Sequence, residues 1–319
     1  MKHPIKIIVL LFVSTSLQAQ TERIVFKAPV MYPEGVTWHP EKKLFFVSSV
    51  KTGTIGSVDE AGMYKELYKD NMLKSTFGMK VDEKNNRLLV CVSDPNYSKY
   101  STPATFKKMA RLISIDLTSG QKKMDVDLAK LHPGKHFAND LTLDNDGNIY
   151  VTDSFSPVIY KISTGGQATV FAKSDLFKSE DVGLNGILFH PQGFLLVAHN
   201  TNGTLLKVDV KDPKKIMTVK INNLFPGADG LLWASPDNLV LIQNKGVDKA
   251  FQIASTDNWI TAEVKAATAS EDRFQYPTTG TLENGRVWLL NSKLNENTDS
   301  SMTPSKEFSL QMAKFQPVK

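Results

Sequence analysis

The sequence predicts an all-β fold, a six-bladed β-propeller whose ring is closed by an N-terminal strand in the last blade. Three observations predict it. First, one short unit recurs six times: a strand, a tight turn, then a second strand ending in polar residues, seen most clearly from Phe137 to Ser154 with its turn at Asn145-Asp146-Gly147. The units open at Glu34-Gly35, Phe77-Gly78, Asn139-Asp140, Asn185-Gly186, Asp229-Gly230 and Thr279-Gly280. Second, they are spaced 43, 62, 46, 44 and 50 residues apart, the period of a propeller blade of about four strands. A β-sandwich would not repeat one turn six times. Third, an alternating segment, Arg23–Lys27, precedes the first unit, as expected of a strand that completes the last blade.

Each blade can be justified in order. Blade one reads as Gly35–Trp38, a His39-Pro40 turn, Leu44–Ser49, Gly53–Val58 and Tyr64–Tyr68. Blade two has Met79–Val81, Leu88–Val92, a long interruption, then Arg111–Asp116. Blade three carries Phe137–Ser154, Val158–Ile162 and Ala168–Phe171. Blade four has Ile187–Phe189, Phe194–Ala198 and Leu205–Val208; blade five has Leu231–Trp233, Leu239–Gln243 and Ala250–Ile253. Blade six has Thr281-Leu282, Arg286–Leu290 and a late strand expected over Phe308–Phe315. Trp38, Phe189 and Trp233 close inner strands and are expected in the core between blades.

Composition bounds the rest. The 319 residues form a leader and one propeller, because blades bury their faces only against other blades. Residues 1–19 have the order of a secretory signal peptide: Lys2 and Lys6, an apolar run from Ile7 to Val13, and a polar segment ending at Ala19. The run is too short to span a bilayer, and no later segment is long enough. The expected mature domain is 20–319, periplasmic or secreted. The formal net charge of +5 includes Lys2 and Lys6, and the remaining excess is too scattered for nucleic acid. Cys91 is alone in a strand-like run and reads as a buried, inert thiol.

Loop lengths separate the two faces. The turns between first and second strands are all short, whereas Pro95–Ala110 and Ser292–Glu307 are long and open on the opposite, near face. That face also receives the residues that open the inner strands. Four of the six are oxygen donors: Glu34, Asn139, Asn185 and Asp229. Two carboxylates and two amides converging on the axis would repel one another and be costly to desolvate. A divalent cation would neutralise them, Ca²⁺ before Mg²⁺ or Mn²⁺, and the absence of Cys and His disfavours zinc. A hydrogen-bonded polar plug is the alternative. Ser49, Ser154, Asn200 and Asn244 end second strands on the same face. Asp153 and His199, one residue earlier, are candidate substrate contacts, with plain strand-end capping as the alternative. No serine stands in a G-x-S-x-G context, so serine nucleophilic chemistry is not expected.

Pro33-Glu34-Gly35-Val36-Thr37-Trp38, Asn139-Asp140, Leu184-Asn185-Gly186-Ile187-Leu188-Phe189 and Ala228-Asp229-Gly230-Leu231-Leu232-Trp233 together resemble the gluconolactonase/regucalcin (senescence marker protein) family of six-bladed propellers. Paraoxonases and strictosidine-synthase-like proteins are more distant likenesses. The resemblance implies that Glu34, Asn185 and Asp229 ligate a metal, that Asn139 touches metal or substrate, and that Asp229 is also the general base. It implies hydrolysis of a lactone or related ester. Two residues depart from the pattern. Phe137 stands where regucalcin-type members carry an Arg for a sugar acid, and Phe77 stands where paraoxonases carry a His. Both imply a more apolar substrate pocket. The expectation is therefore an exported, metal-dependent lactonase or esterase acting on a small molecule. The alternative is a non-catalytic propeller that binds a ligand or protein around a structural cation.

Overall fold

The structure, a computed structural model, describes residues 22–28 and 31–318; the leader expected over 1–19 lies outside them. Six antiparallel sheets, joined in chain order, form the six blades. Blade one is Val36–His39, Leu44–Val47, Ile55–Asp59 and Tyr64–Tyr68. Blade two is Ser75–Asp82, Arg87–Ser93, Ala110–Asp116 and Lys122–Asp127. Blade three is Ala138–Leu143, Ile149–Asp153, Val158–Ile162 and Ala168–Lys173. Blade four is Leu184–His190, Phe194–His199, Thr204–Asp209 and Ile216–Thr218.

The last two blades share the end of the chain. Blade six runs Pro277–Glu283, Arg286–Asn291 and Glu307–Met312, and its outer strand is Arg23–Lys27, paired antiparallel to Glu307–Met312. The closure expected from the sequence is present. It is fixed by alternation, since Ile24 and Phe26 are buried while Arg23, Val25 and Lys27 are exposed. Phe26 lies 6.2 Å from Phe308 and 6.5 Å from Tyr64, ring to ring, and so joins blade six to blade one. The late strand differs from expectation. Phe308–Phe315 is not one strand: pairing in blade six stops at Met312, and Phe315–Pro317 crosses to the outer edge of blade five, beside Glu263–Thr268. Blade five thus has five strands, with Ala228–Ser235, Asn238–Gln243 and Lys249–Ala254 inside. The added strand covers an edge that would otherwise expose unpaired backbone groups.

The recurring glycines are explained at the axis. A Cβ at Gly35 would run into the Phe77 carbonyl, and one at Gly186 would run into the Asp229 carbonyl. Neighbouring inner strands touch backbone to backbone there, and only glycine permits that approach. Asp140 is the exception, and its side chain occupies the throat: a Cβ at Gly78 would meet its carboxylate. Cys91 is fully buried, and burial raises its thiol pKa well above the ordinary range, so the expected inert thiol fits the structure.

Candidate functional site

The inner strands of blades two to six share an irregularity just where the polar column lies. Pairing with the second strand breaks between Thr76 and Met79, Ala138 and Leu141, Leu184 and Ile187, Ala228 and Leu231, and Pro277 and Gly280. Each is a β-bulge, which releases two residues from the ladder and re-aims their side chains. Asn139, Asn185 and Asp229 are bulge residues. Glu34 precedes the first strand of blade one, its N–H donating to Ser48 Oγ (3.1 Å) and its carbonyl accepting from Thr278 Oγ (2.8 Å). The four side chains line one near-face cavity of about 200 Å³.

This floor is strongly acidic. Burial, then the nearby charges of Asp229 and Asp140, raise the Glu34 pKa well above the ordinary range. Burial is also the main cause that pushes Asp229 up to about 8, against hydrogen bonds from Asn244 and Asn185 and with a further push from Asp140. Asn244 Nδ2 donates to Asp229 Oδ2 at 2.5 Å. Asn139 Nδ2 donates to Ser154 Oγ at 2.9 Å, which fixes the amide, while Asn139 Oδ1 is buried with no hydrogen-bond partner. A buried acceptor without a donor is costly. Asp140 was singled out in the sequence only as the column's missing glycine. In the structure it is a third acid beneath the ring, with backbone donors Leu141 (2.8 Å) and Ile187 (3.3 Å).

The strand-end residues divide by register. Ser154 Oγ donates to the Leu184 carbonyl (2.5 Å) and Asn200 Nδ2 to the Ala228 carbonyl (2.9 Å), each stitching its blade to the next. Asn244, at the same place in blade five, holds Asp229 instead. Asn200 and Asn244 line the cavity; Ser49 does not, its hydroxyl being spent on the Met31 carbonyl at 2.7 Å.

Asp153 and His199 do not line the cavity, and their hydrogen bonds are those of the strand-end capping alternative. Asp153 is fully buried. Its Oδ1 accepts the N–H groups of Phe137 (2.8 Å), Phe155 and Ser156 (both 3.1 Å), and its Oδ2 meets His136 Nδ1 (2.8 Å) and the Tyr160 hydroxyl (3.0 Å). His199 Nε2 meets the Lys178 carbonyl at 3.1 Å, and its Nδ1 accepts the Asn202 N–H at 3.2 Å. Both belong to a column that ties each second strand to its own blade's entering loop. Gln243, donating to the Pro226 carbonyl (2.8 Å), and Asn291, accepting from the Gln275 N–H (2.7 Å), continue it.

Phe77 and Phe137, the two departures from the family pattern, line the cavity and lie edge to face at 4.5 Å between centroids. Tyr97, Tyr276 and Leu294 complete the apolar side, and Asp181 and Lys245 meet at 4.0 Å on the wall. Sequence reasoning missed Tyr97, Tyr276 and Lys245. Tyr97 comes in on the long loop after Ser93, which Asp94 folds by accepting from Ser101 Oγ (2.8 Å) and Thr105 Oγ (2.6 Å). Loop length was the only available signal.

These residues fit a hard cation. Among the described residues, no three His, Cys, Asp or Glu side chains are grouped to hold a metal. Two carboxylates and two amide oxygens are nonetheless a usual oxygen set for Ca²⁺ or Mg²⁺, and they disfavour zinc. The acids at the floor repel one another, and Asn139 Oδ1 needs an electrophilic partner. A cation would answer both.

No family model matches the chain, and no curated protein matches it in sequence. Solved structures do. The Malassezia sympodialis allergen Mala s 1 is 20% identical, with a TM-score of 0.74 over 93% of this chain and 97% of its own. A luciferin-regenerating enzyme is 13% identical, with a TM-score of 0.62 over 93% and 99%. A structure reported as a candidate gluconolactonase is 14% identical, with a TM-score of 0.61 over 94% and 95%. At these identities the likeness is one of fold. Fold and site together define a six-bladed propeller with an acidic, amide-lined ring at one mouth of its channel. The likeness noted in the sequence extends to the fold of a luciferin-regenerating enzyme and a candidate gluconolactonase.

Proposed function

We propose that this protein is a divalent-cation-dependent hydrolase of a compact lactone or related ester, acting in the near-face cavity after export directed by residues 1–19. Glu34, Asn139, Asn185 and Asp229 would hold the cation, with Ca²⁺ the first expectation and Mg²⁺ or Mn²⁺ served by the same oxygens. Once bound, a cation supplies charge stabilisation and Lewis acidity at an ester carbonyl. Asp229 takes the proton from the attacking water, and Asn244 holds its Oδ2 for that role. Phe77 and Phe137 shield the reacting ester from water and favour an apolar acyl part. A cavity of about 200 Å³ lies below the ~300–1,000 Å³ of most ligand pockets and not far above the ~150 Å³ that encloses one benzene, so the substrate is compact.

The observation that carries this reading is the meeting of four oxygen-donor side chains from four blades around one small cavity, with Asn139 Oδ1 buried and unpartnered. Metal analysis of the purified protein, followed by a lactone and aryl-ester panel with Ca²⁺, Mg²⁺ or Mn²⁺, tests it. Turnover lost on chelation and about 10²-fold lower in Asp229→Asn at saturating metal is the expected result. Bound metal without turnover on any substrate would instead favour a binding propeller with a structural cation.

A further inference from the structure

The other mouth of the channel holds a larger cavity, of about 520 Å³, within the size range of small-molecule sites. Its lining is divided. Two residues beyond the glycine column, blades two and three supply Lys80 and Thr142, whereas blades four and five supply Leu188 and Leu232. Trp233 extends the apolar side: its indole N–H is engaged by the Phe189 carbonyl at 2.9 Å, and its ring, in T-shaped contact with His190 and Trp259, is half-buried at the cavity. No carboxylate lines this cavity; the charge of Lys80 is felt by the buried Asp140 carboxylate, which is not among the lining residues. Thr142 Oγ accepts the Phe189 N–H (3.2 Å) and Thr281 Oγ accepts the Trp38 N–H (3.0 Å), so each keeps its hydroxyl proton to give. A half-buried cation and two hydroxyl donors therefore face an apolar wall.

We infer that this far mouth is a second binding site, for a small amphipathic anion: a carboxylate-type head at Lys80 and a short apolar body along Leu188, Leu232 and Trp233. A bare ion would fill only the Lys80 end of a cavity of about 520 Å³. A neutral amphiphile would leave Lys80 with only the buried Asp140 carboxylate, outside the cavity lining, to offset its charge. This site is independent of the chemistry proposed at the acidic mouth.

Calorimetric titration of the full chain with octanoate, octanol and octyltrimethylammonium tests the inference. Octanoate binds at least tenfold more tightly than either analogue, the size of effect expected of a charge-assisted contact. Lys80→Gln abolishes the advantage of octanoate over octanol, Lys80→Arg retains it, and Leu232→Asn weakens both ligands. Equal affinity for octanoate and octyltrimethylammonium overturns the inference, as does no octanoate binding at millimolar concentration. Should Lys80→Gln fail to fold, methyl resonances of wild-type protein decide. Octanoate shifts Leu188 and Leu232 if the inference holds; shifts confined to Leu294 at the near mouth overturn it.

Discussion

Asp229 makes stability depend on pH in a direction opposite to that of most carboxylates. Its pKa is about 8 in the folded chain against an ordinary 3.8. Between those values the folded protein holds a proton that the unfolded chain has released. Without a cation, Asp229 therefore costs nothing below about pH 4, and stability falls as pH rises toward 8. At ~1.4 kcal/mol per unit, the loss from pH 5 to 7 is about 2–3 kcal/mol. Burial lowers the pKa values of His39, His132, His190 and His199, and these act the other way. The informative quantity is thus the difference between wild type and Asp229→Asn, in which the histidine contributions cancel and what remains is Asp229 together with the upward push its charge exerts on Glu34. Urea melts in chelator at pH 5, 6 and 7 should show the variant gaining on wild type by about 2–3 kcal/mol over that range. Ca²⁺ at a hundredfold its Kd should return about 2.7 kcal/mol to wild type at pH 7. A wild-type-minus-variant difference that stays flat from pH 5 to 7 would refute the argument from burial.

Three further outcomes are expected. Phe26→Ala empties a fully buried ring site in the closing strand and should cost about 3–5 kcal/mol in urea melts. Asp153→Asn replaces the Oδ2 acceptor of Tyr160 by a donor and should cost about 1–3 kcal/mol. The ranking of substrates on the ester panel should not move, because Asp153 touches loop backbone rather than the cavity. Phe137→Arg, by contrast, should shift preference toward polar lactones while Ca²⁺ affinity by calorimetry stays within about threefold, since Phe137 belongs to the apolar wall rather than the oxygen ring.

What the sequence disclosed and what it hid have separate physical causes. The ring closure was readable because Arg23–Lys27 alternates with a period of two, and alternation is local. The split of Phe308–Phe315 was not, because the chain changes blades at Ala313-Lys314, where only tertiary pairing distinguishes one strand from two. Glu34, Asn185 and Asp229 were found together because glycine punctuates the repeat beside them, and Asn139 by the spacing of its blade and the turn it shares with the others. The bulges that turn three of them toward the axis leave no mark in composition. Asp153 and His199 could be read from sequence as substrate contacts or as strand-end caps, and only the register separates their hydrogen bonds from those of their neighbours: adjacent residues in a strand face opposite ways, so Ser154 and Asn200 stitch blades while the residues before them pin loops. The tyrosines of the wall arrive on loops, whose paths follow from anchors such as Asp94.

The crowding of backbone at the glycine ring has a consequence for electrostatics. Main chain crowds the axis there, and the Asp140 side chain stands between the two mouths. An acidic, amide-rich chamber lies on one side and a lysine-bearing chamber on the other. What passes between them is field: Asp140 feels Lys80 below and in turn acts on Glu34 and Asp229 above. The molecule is two vestibules of opposite polarity, back to back, sharing one carboxylate as their wall.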